Sequence, residues 1–484
     1  MSDAARGKWL IVAIASAAVV VLGAWLFANR TSGLKLRVPG TDAAPGAESS
    51  SANPVLAGKL IPGTAQPVNL LGDWPQFRGP NRDGKIPAST PLSRDWNTTP
   101  PRELWSLEVG EGYAGPAVCA GRVYLLDYDR DAKQSALRCL SLADGKEIWH
   151  FAYPLLLKRN HGMTRTVPTV TDKFVVALDS KCNVLCLDAL TGELRWSINL
   201  VHDFGATVPE WYAGQCPLVE DYRVILAPGG KDALLVAADL VTGKILWQTP
   251  NPNSWKMTHS SIMPMEFAGR QQFLYCASGG AVGVDAQSGH LAWETSDWKI
   301  SIATVPSPVP LPDGKVFFTG GYNAGSLVLQ LVENEAPLPA SDMQTPSDSK
   351  VFRITSTDHR TLFKLAAEVF GATQHTPIFK DNHLFGVRAD GRFVCLGLDG
   401  KVVWTSGPGE TFGLGSLLMA GDLIYAVNDT GKLRLIEATT SQFNLLGEFQ
   451  ALQGRESWGP MALAGNRLLV RDLTHLVCLD VGGK

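Results

Sequence analysis

The sequence predicts an all-β protein: an eight-bladed β-propeller preceded by one N-terminal transmembrane helix. Three observations lead to this prediction. The 484 residues contain 48 glycines and 30 prolines, which indicates a turn-rich body. Short strand-like segments end repeatedly in a tryptophan at a period near that of a propeller blade. A stretch of uncharged residues lies close to the N-terminus.

The overall charge excludes one class of function. Lys and Arg total 43 and Asp and Glu total 46, which gives a net charge of -3. A nucleic-acid-binding domain carries a basic excess that pairs with phosphates. We therefore expect no nucleic-acid partner.

The uncharged stretch covers residues 9–28 and follows a short N-terminal segment, residues 1–8. As a helix it would span about 30 Å, the thickness of a bilayer core. No A-x-A-like cleavage site follows it, which favours an uncleaved signal anchor over a cleaved signal peptide. Basic residues flank it on both sides, so charge counting does not set its orientation.

A compositional change separates this helix from the rest of the chain. Residues 29–71 are rich in Ala, Gly, Pro and Ser and hold few large apolar side chains. Such a segment buries too little surface to offset the entropy of ordering. We predict a disordered linker over 29–71 and the propeller over 72–484.

The repeat joins a turn glycine to a tryptophan four positions later. One copy reads ADLVTGKILW, from Gly243 to Trp247. Glycine accepts the positive φ of a tight turn, and the large indole on the outer strand can fill the wedge between two blades. The tryptophans at this docking position are Trp149, Trp196, Trp247, Trp293 and Trp404.

The remaining segments complete a count of eight. Two further copies, near 304–364 and 414–449, lack the tryptophan. The last copy begins near Gly459 and stops where its outer strand should follow. The segment from Arg102 to Val109, which carries Trp105, supplies that strand. Closing a ring in this way leaves no open sheet edge, so we expect residues 104–109 to pair with residues near 476–480.

This repeat resembles the pyrroloquinoline-quinone-like (PQQ-like) propeller repeat, whose pattern is close to A-x-D-x-x-T-G-x-x-x-W. The resemblance covers roughly residues 73–484. The segment DWPQFRGPNRDG at 73–84 is similar to the opening of exported or membrane-anchored bacterial proteins of this group. The resemblance implies a fold and not one activity, because quinoprotein dehydrogenases and outer-membrane assembly propellers share it.

The cysteines bear on the activity that the resemblance allows. Quinoprotein dehydrogenases of this fold carry two adjacent cysteines beside the quinone, and here no two of the eight cysteines are neighbours. PQQ with calcium is therefore disfavoured, and we predict no cofactor and no metal. Cys182 and Cys186 could form a disulfide or half a metal site, although buried structural cysteines are the favoured interpretation.

Candidate ligand residues lie where the innermost strands should begin, because these positions converge on the mouth of the central channel. Aromatic, basic and polar side chains recur there, with His161, Trp211 and Lys256 close in sequence. One interpretation is a funnel that binds a small polar or anionic ligand. The alternative is that these side chains fill the channel and bond to each other. The candidates are Tyr113, Arg165, Tyr212, Gln215, His259, His375, Glu456 and Trp458.

The sequence favours a non-catalytic, membrane-tethered module that binds a small polar ligand or, on one face, a protein partner. No catalytic residue is assigned. Two alternatives remain open: a quinone-dependent oxidoreductase acting on alcohols or sugars, and another enzyme, such as a polysaccharide hydrolase or lyase, that uses the funnel. The resemblance implies a propeller anchored to the inner membrane and located in the periplasm or otherwise outside the cytoplasm.

Overall fold

The computed structural model describes residues 16–24, 53–87, 90–337 and 352–483. The chain divides into two compact units, residues 1–41 and 42–484. In the first unit, residues 16–24 are helical. None of the helices described is both long enough and apolar enough to cross a membrane. Residues 1–8, most of the predicted span 9–28, and residues 29–52 lie outside the described residues, so the transmembrane helix stays a prediction.

The second unit is an all-β propeller. Its described strands form eight sheets, each built on four antiparallel strands, which confirms the predicted eight blades. From the channel outwards, the first four blades comprise Ala117–Cys119, Arg122–Asp129, Gln134–Ser141 and Glu147–Pro154 (blade 1); Thr169–Val170, Phe174–Leu178, Asn183–Asp188 and Leu194–Asn199 (blade 2); Leu218–Glu220, Arg223–Leu226, Leu235–Asp239 and Ile245–Thr249 (blade 3); and Met263–Phe267, Arg270–Ala277, Gly280–Asp285 and Leu291–Thr295 (blade 4).

The described part of the propeller contains three short helices: an α-helix at Leu200–Phe204 and 3-10 helices at Pro54–Ala57 and Pro312–Gly314.

The other four blades continue in chain order. The strands are Val309–Leu311, Lys315–Gly320, Gly325–Pro337 and Phe352–Leu365 (blade 5); Ile378–Lys380, His383–Val387, Phe393–Gly397 and Val402–Thr405 (blade 6); Leu417–Ala420, Leu423–Val427, Lys432–Glu437 and Leu445–Gln450 (blade 7); and Ala462–Ala464, Arg467–Arg471, His475–Asp480 and Arg102–Glu108 (blade 8).

Blade 8 is made from both ends of the propeller. Arg102–Glu108 pairs antiparallel with His475–Asp480, and Trp105 stands opposite Cys478. The predicted ring closure is therefore confirmed. Arg102 also forms an ion pair with Asp480 at 3.2 Å.

Four of the docking tryptophans lie between blades, each against the turn glycine of the next blade. A Cβ placed on Gly243 would lie 2.8 Å from the Trp196 ring, and Gly243 has a φ of +72°. The glycine thus supplies both the positive φ and the space for the indole. Trp196 Nε1 also donates to the Leu240 carbonyl (2.9 Å). The same contact joins Trp105 to Gly145, Trp149 to Gly192, and Trp247 to Gly289.

Blade 5 replaces this contact with a long hairpin, Gly325–Pro337 and Phe352–Leu365. Next to it, Trp293 Nε1 donates to Gln272 (3.0 Å), and Gln272 in turn donates to Thr357 of the hairpin (3.0 Å). The His359 ring lies 5.6 Å from the Trp293 ring. The hairpin therefore covers the wedge that a docking turn would fill.

The prediction of a disordered linker was wrong for residues 53–71. Lys59–Pro62 pairs antiparallel with Glu147–Pro154 and adds a fifth strand to blade 1. Val55 is fully buried, and Asn53 donates to Ser197 of blade 2 (2.8 Å). The composition of this segment does not predict its order, because the segment is held by backbone hydrogen bonds to the edge strand of blade 1. Such bonds do not depend on which side chains the segment carries.

The cysteines make no disulfide; all eight are free. Cys182 and Cys186 are buried, and Cys182 Sγ lies 3.9 Å from Met257 Sδ. Within the described ranges, no group of His, Cys, Asp and Glu is arranged to hold a metal ion. Cys182 and Cys186 therefore pack as small apolar side chains.

Candidate functional site

A cavity of about 380 Å³ lies at the centre of the propeller. All eight blades contribute to its wall, mostly through the residues that precede their innermost strands. Three further lining residues, Trp74, Phe77 and Arg78, come from the segment before the first blade. The cavity therefore occupies the position at which the sequence predicts a funnel.

The segment 73–86, here called the plug, forms the floor of the cavity. Trp74 exchanges backbone hydrogen bonds with Val118 of blade 1 (2.8 Å each). At the other end of the plug, Lys85 and Ile86 pair in parallel with residues 419–420 of blade 7. The two ends of the plug are thus held by blades 1 and 7, which stand on either side of blade 8.

Two buried arginines hold the plug to the blades between these ends. Arg78 donates to the carbonyls of Thr376 (2.6 Å) and Pro377 (3.0 Å) in blade 6. Arg82 donates to the carbonyls before the innermost strand of blade 3, at 3.0 and 3.2 Å. Burial lowers the pKa of each guanidinium to about 10, which leaves both charged at neutral pH.

Five of the eight predicted ligand residues line the cavity, together with their sequence neighbours His161 and Trp211. Whether they bind a ligand stays a prediction. The lining candidates are Tyr113, Arg165, His259, His375 and Trp458.

The other three candidates support the wall from behind. The Tyr212 hydroxyl donates to the Lys158 carbonyl (2.8 Å) and accepts from the Lys158 amide (3.1 Å). Gln215 makes two hydrogen bonds with the backbone of Ala227. The Glu456 carboxylate accepts the hydroxyl proton of Tyr113. These contacts match the alternative in which channel residues bond to each other. Lys256 is exposed and is not part of the lining.

An aromatic and cationic stack forms one side of the cavity. Tyr113 and Trp458 stack with ring centroids 5.3 Å apart, and Trp458 Nε1 donates to Asp429 (2.7 Å). The Arg165 guanidinium lies 5.5 Å from the Tyr113 ring centroid. Arg165 also donates to the carbonyls of residues 160–162, at 3.0 to 3.3 Å. Burial lowers its pKa to about 10, so it remains a cation at neutral pH.

The two cavity histidines in blades 4 and 6 differ in their partners. Nε2 of His259 lies 3.0 Å from the Tyr212 carbonyl, which can only accept, so this nitrogen carries the proton. Neither ring nitrogen of His375 has a hydrogen-bond partner in the described structure. Burial lowers the pKa of both imidazoles to about 4, and the Arg165 charge lowers that of His259 further. Both rings are neutral at pH 7.

The lining is electropositive. It contains the Arg78 and Arg165 guanidinium groups, and the described lining residues include no Asp or Glu. The carboxylates of Glu456 and Asp429 accept hydrogen bonds from Tyr113 and Trp458, respectively. A small anion in the cavity would therefore contact no carboxylate of the described lining.

Sequence reasoning missed the floor. The floor residues Trp74, Phe77 and Arg78 belong to the segment DWPQFRGPNRDG. That segment indicates a family resemblance but does not by itself predict a place in the cavity. One Trp and one Phe beside two arginines, in a stretch rich in Pro and Gly, are the signal that the sequence offers. Such a stretch has too little regular structure for its path across the ring to be derived.

The lining does not fit PQQ with calcium. Calcium takes six to eight oxygen ligands, usually including carboxylates, and the described lining offers no carboxylate. Its cysteine, Cys216, has no cysteine neighbour, and its Sγ accepts from the Val167 amide (3.2 Å). The residues in this cavity therefore lack the donors for the metal and the cysteine pair that accompanies the quinone.

Comparison with known proteins now bears on the family. Residues 132–338 match a PQQ-type family model described as "Outer membrane protein assembly factor BamB". The resemblance to the PQQ-like propellers is confirmed. No curated protein sequence matches the chain.

Solved structures with a similar fold include BamB from Moraxella catarrhalis, at 13% identity and a TM-score of 0.51, covering 78% of this chain and 99% of that one. A quinohemoprotein alcohol dehydrogenase from Pseudomonas putida is 13% identical, with a TM-score of 0.45, and covers 85% of this chain and 81% of its own. At such identities the likeness to BamB concerns the fold alone.

Proposed function

We propose that this protein is a non-catalytic binding module whose central cavity takes a small anionic ligand. One observation carries the proposal: Arg78 and Arg165 line a cavity of about 380 Å³ whose described lining holds no carboxylate. Pockets for small molecules commonly measure 300 to 1,000 Å³ and combine apolar walls with a few polar groups. Field lines from Arg78 and Arg165 would concentrate anions in such a cleft.

The chemistry of the lining supports a binding role over a catalytic one. Cys216 is buried, and burial raises the pKa of its thiol, so it is a poor nucleophile. Ser416 donates to the Gly459 carbonyl (2.9 Å) and not to a base. No carboxylate among the described lining residues could act as a general acid or base.

Isothermal titration calorimetry and thermal unfolding with small anions test this proposal. We expect carboxylates to bind and to raise the unfolding temperature, and their uncharged amides to do neither. Arg165→Ala and His259→Ala should weaken binding on the order of tenfold, because each removes one polar group from the wall. Arg195→Ala is the matched control, since Arg195 is exposed on blade 2 and pairs with Asp188. Unchanged binding in both cavity variants would refute the proposal.

A quinone test separates the proposal from the oxidoreductase alternative. The purified protein is mixed with PQQ and calcium and assayed for bound quinone absorbance and for dye reduction with alcohols or aldose sugars. We expect neither signal, because the described lining lacks the carboxylates that calcium prefers. Dye reduction that depends on quinone and substrate would establish the alternative.

The proposal includes a location outside the cytoplasm, with the propeller tethered to the inner membrane by the predicted helix over 9–28. The uncharged sequence of that stretch and the PQQ-like resemblance support it. Alkaline phosphatase and fluorescent-protein fusions after residue 52 test it. Active phosphatase and a dark fluorescent protein are expected, and the opposite result would place the fusion point in the cytoplasm.

A protein partner on one propeller face is a second candidate. The match of residues 132–338 to an outer-membrane assembly factor favours it. Site-specific cross-linking in intact cells, from exposed positions on the outer strands, tests this candidate. A cross-link to an assembly component that survives Arg165→Ala would assign the partner to a face and not to the cavity.

A further inference from the structure

Tyr322 lies at the mouth of the cavity, on the side formed by blade 5. It sits in the turn between the second and third strands of that blade and lines the cavity. Tyr322 and His161 are the two exposed members of the described lining, whereas Trp74 and Arg78 of the floor are buried. These two exposed residues therefore mark the opening of the cavity to solvent.

The backbone at Tyr322 has a conformation that tyrosine rarely adopts. The Ala324 amide donates to the Gly321 carbonyl (3.1 Å). The two residues between them, Tyr322 and Asn323, have φ values of +56° and +63°. Positive φ at both central positions is typical of a type I′ turn, which favours asparagine, aspartate or glycine. Asn323 fits this turn, but a bulky side chain in the left-handed region, as at Tyr322, costs stability.

Nothing in the described structure offsets this cost. Tyr322 is 42% exposed, and its side chain has no hydrogen-bond partner and no aromatic partner among the described residues. The other described tyrosine with a positive φ, Tyr212, is fully buried, and its hydroxyl donates to the Lys158 carbonyl. A strained residue that gains no contact from the fold and stands at a cavity points to a role in binding.

Blade 5 gives the cavity an uncharged and mostly apolar wall. Besides Tyr322, its lining residues are Ala303 and Val305, which precede the innermost strand Val309–Leu311. An apolar wall and an apolar part of a ligand stabilise each other, because their contact removes both surfaces from water. The wall of blade 5 therefore suits the apolar part of a ligand.

The cationic wall lies across the cavity from blade 5. Tyr113 precedes the innermost strand of blade 1, and in a ring of eight blades in chain order blade 1 stands opposite blade 5. The Arg165 guanidinium, from the neighbouring blade 2, lies 5.5 Å from the Tyr113 ring centroid. A ligand that spans the cavity would thus meet a cation at one end and apolar side chains at the other.

We infer that Tyr322 is a binding residue that packs against the apolar ring of a carboxylic acid whose carboxylate faces Arg165. This inference rests on the proposed anion-binding function and names the ligand class. Two sources share the chemistry: aromatic and alicyclic carboxylates. The probes benzoate and cyclohexanecarboxylate distinguish them, with acetate as the analogue without a ring.

Calorimetry of the full chain with these three compounds is the test. We expect at least one ring acid to bind on the order of tenfold more tightly than acetate, because its ring buries apolar surface. Tyr322→Asn should reduce the affinity for that acid about fivefold and leave acetate binding unchanged. Tyr322→Phe keeps the aromatic ring and should keep the affinity. Tyr222→Asn is the matched control, because Tyr222 is also exposed but lies on a turn of blade 3 and is not part of the described lining.

Stability without ligand separates a binding role from a structural one. Asparagine suits a type I′ turn better than tyrosine, so Tyr322→Asn should lower the equilibrium constant of unfolding in urea about fivefold. A marked rise in that constant would show that Tyr322 supports the fold, and would overturn the inference.

A second variant controls for relaxation of a turn. Ala268 and Gly269 have φ values of +52° and +68° in a turn of blade 4, and neither lines the cavity. Ala268→Gly removes a side chain from the same backbone conformation as that of Tyr322. Its affinity for all three compounds should equal that of the wild type, so a loss in Tyr322→Asn would come from the missing ring.

The outcomes distinguish the two proposals. If a ring acid binds more tightly than acetate and Tyr322→Asn loses that preference, the inference holds, and the better probe identifies the source. If the ring adds nothing to the affinity of acetate, or Tyr322→Asn keeps the preference, the inference is wrong and the anion-binding function stands. If no anion binds the wild-type protein, both fall.

Discussion

The docking contacts between blades and the central cavity are built from different kinds of residue. At the docking contacts, a repeated tryptophan buries its ring against a repeated glycine, as Trp196 does with Gly243. The cavity is lined instead by polar and charged residues that occur in one blade only, such as His375 and Arg165. The difference indicates that the repeated residues stabilise the fold, while the residues unique to single blades are available for binding.

Removing the ring of a docking tryptophan should cause the largest loss of unfolding free energy and should leave anion binding in the cavity unchanged. Trp196→Ala deletes a buried indole between blades 2 and 3, and large-to-small changes of this kind cost about 3–5 kcal/mol of unfolding free energy. Urea unfolding checks the stability, and calorimetry checks anion affinity, which should not change. Trp196→Phe is the control and should lose less. A cavity ligand that binds more weakly to a folded Trp196→Ala protein would break the separation of the two regions.

The cavity histidines should make the free energy of unfolding depend on pH. The pKa values of His259 and His375 are lowered from 6.5 to about 4, mainly by burial. Below pH 6.5 the unfolded chain binds protons that the folded protein does not, so stability falls between pH 6.5 and 4. Each histidine accounts for about 3 kcal/mol at full effect. Arg165 lies near His259 and lowers the pKa of that ring further, whereas Asp429 lies near His375 and acts in the opposite direction.

Urea unfolding at a series of pH values measures this loss. Replacing both histidines with glutamine should flatten the curve between pH 6.5 and 4.5. Replacing the exposed His290 and the partly exposed His383 with glutamine should not flatten it. An equally steep curve in the cavity double variant would mean that other groups bind the protons.

A pair of glycine variants separates backbone strain from ring contact. Gly243 and Gly269 have similar φ values, +72° and +68°, but a Cβ on Gly243 would meet the Trp196 ring, and a Cβ on Gly269 would meet nothing within 4 Å. Gly269→Ala should therefore cost about 1 kcal/mol from the left-handed backbone alone. Gly243→Ala should cost about 2–3 kcal/mol, because the ring must also shift. Equal losses of unfolding free energy in the two variants would show that the Trp196 ring can shift without cost.

The sequence predicted the features that repeat. The Gly-to-Trp spacing predicted the blades, and the missing outer strand at the C-terminus predicted the pairing of Arg102–Glu108 with His475–Asp480. Both depend on local periodicity and on the need to close a sheet edge. The predicted position of the funnel residues also rested on this periodicity.

What the sequence could not give depends on contacts between distant segments. Lys59–Pro62 joins blade 1 through its backbone, and the plug crosses the channel because Arg78 and Arg82 reach carbonyls in blades 6 and 3. Neither contact leaves a periodic signal. The same limit applies within the funnel: Tyr212 and Gln215 occupy the expected repeat position, but their side chains turn to backbone partners outside the cavity.

The variant with the smallest expected effect tests whether the cavity wall contributes to the stability of the fold. Tyr113→Phe keeps the stack on Trp458 and removes only the hydrogen bond to Glu456, which is half-buried and can bind water instead. Unfolding free energy should fall by about 1 kcal/mol, and anion affinity should change by less than about threefold, since the hydroxyl points to Glu456 and the ring faces the ligand. Urea unfolding and calorimetry on the same sample check both values. A loss comparable to that of Trp196→Ala would mean that the wall, like the docking contacts, holds the blades together, and the distinction between the two regions would fail.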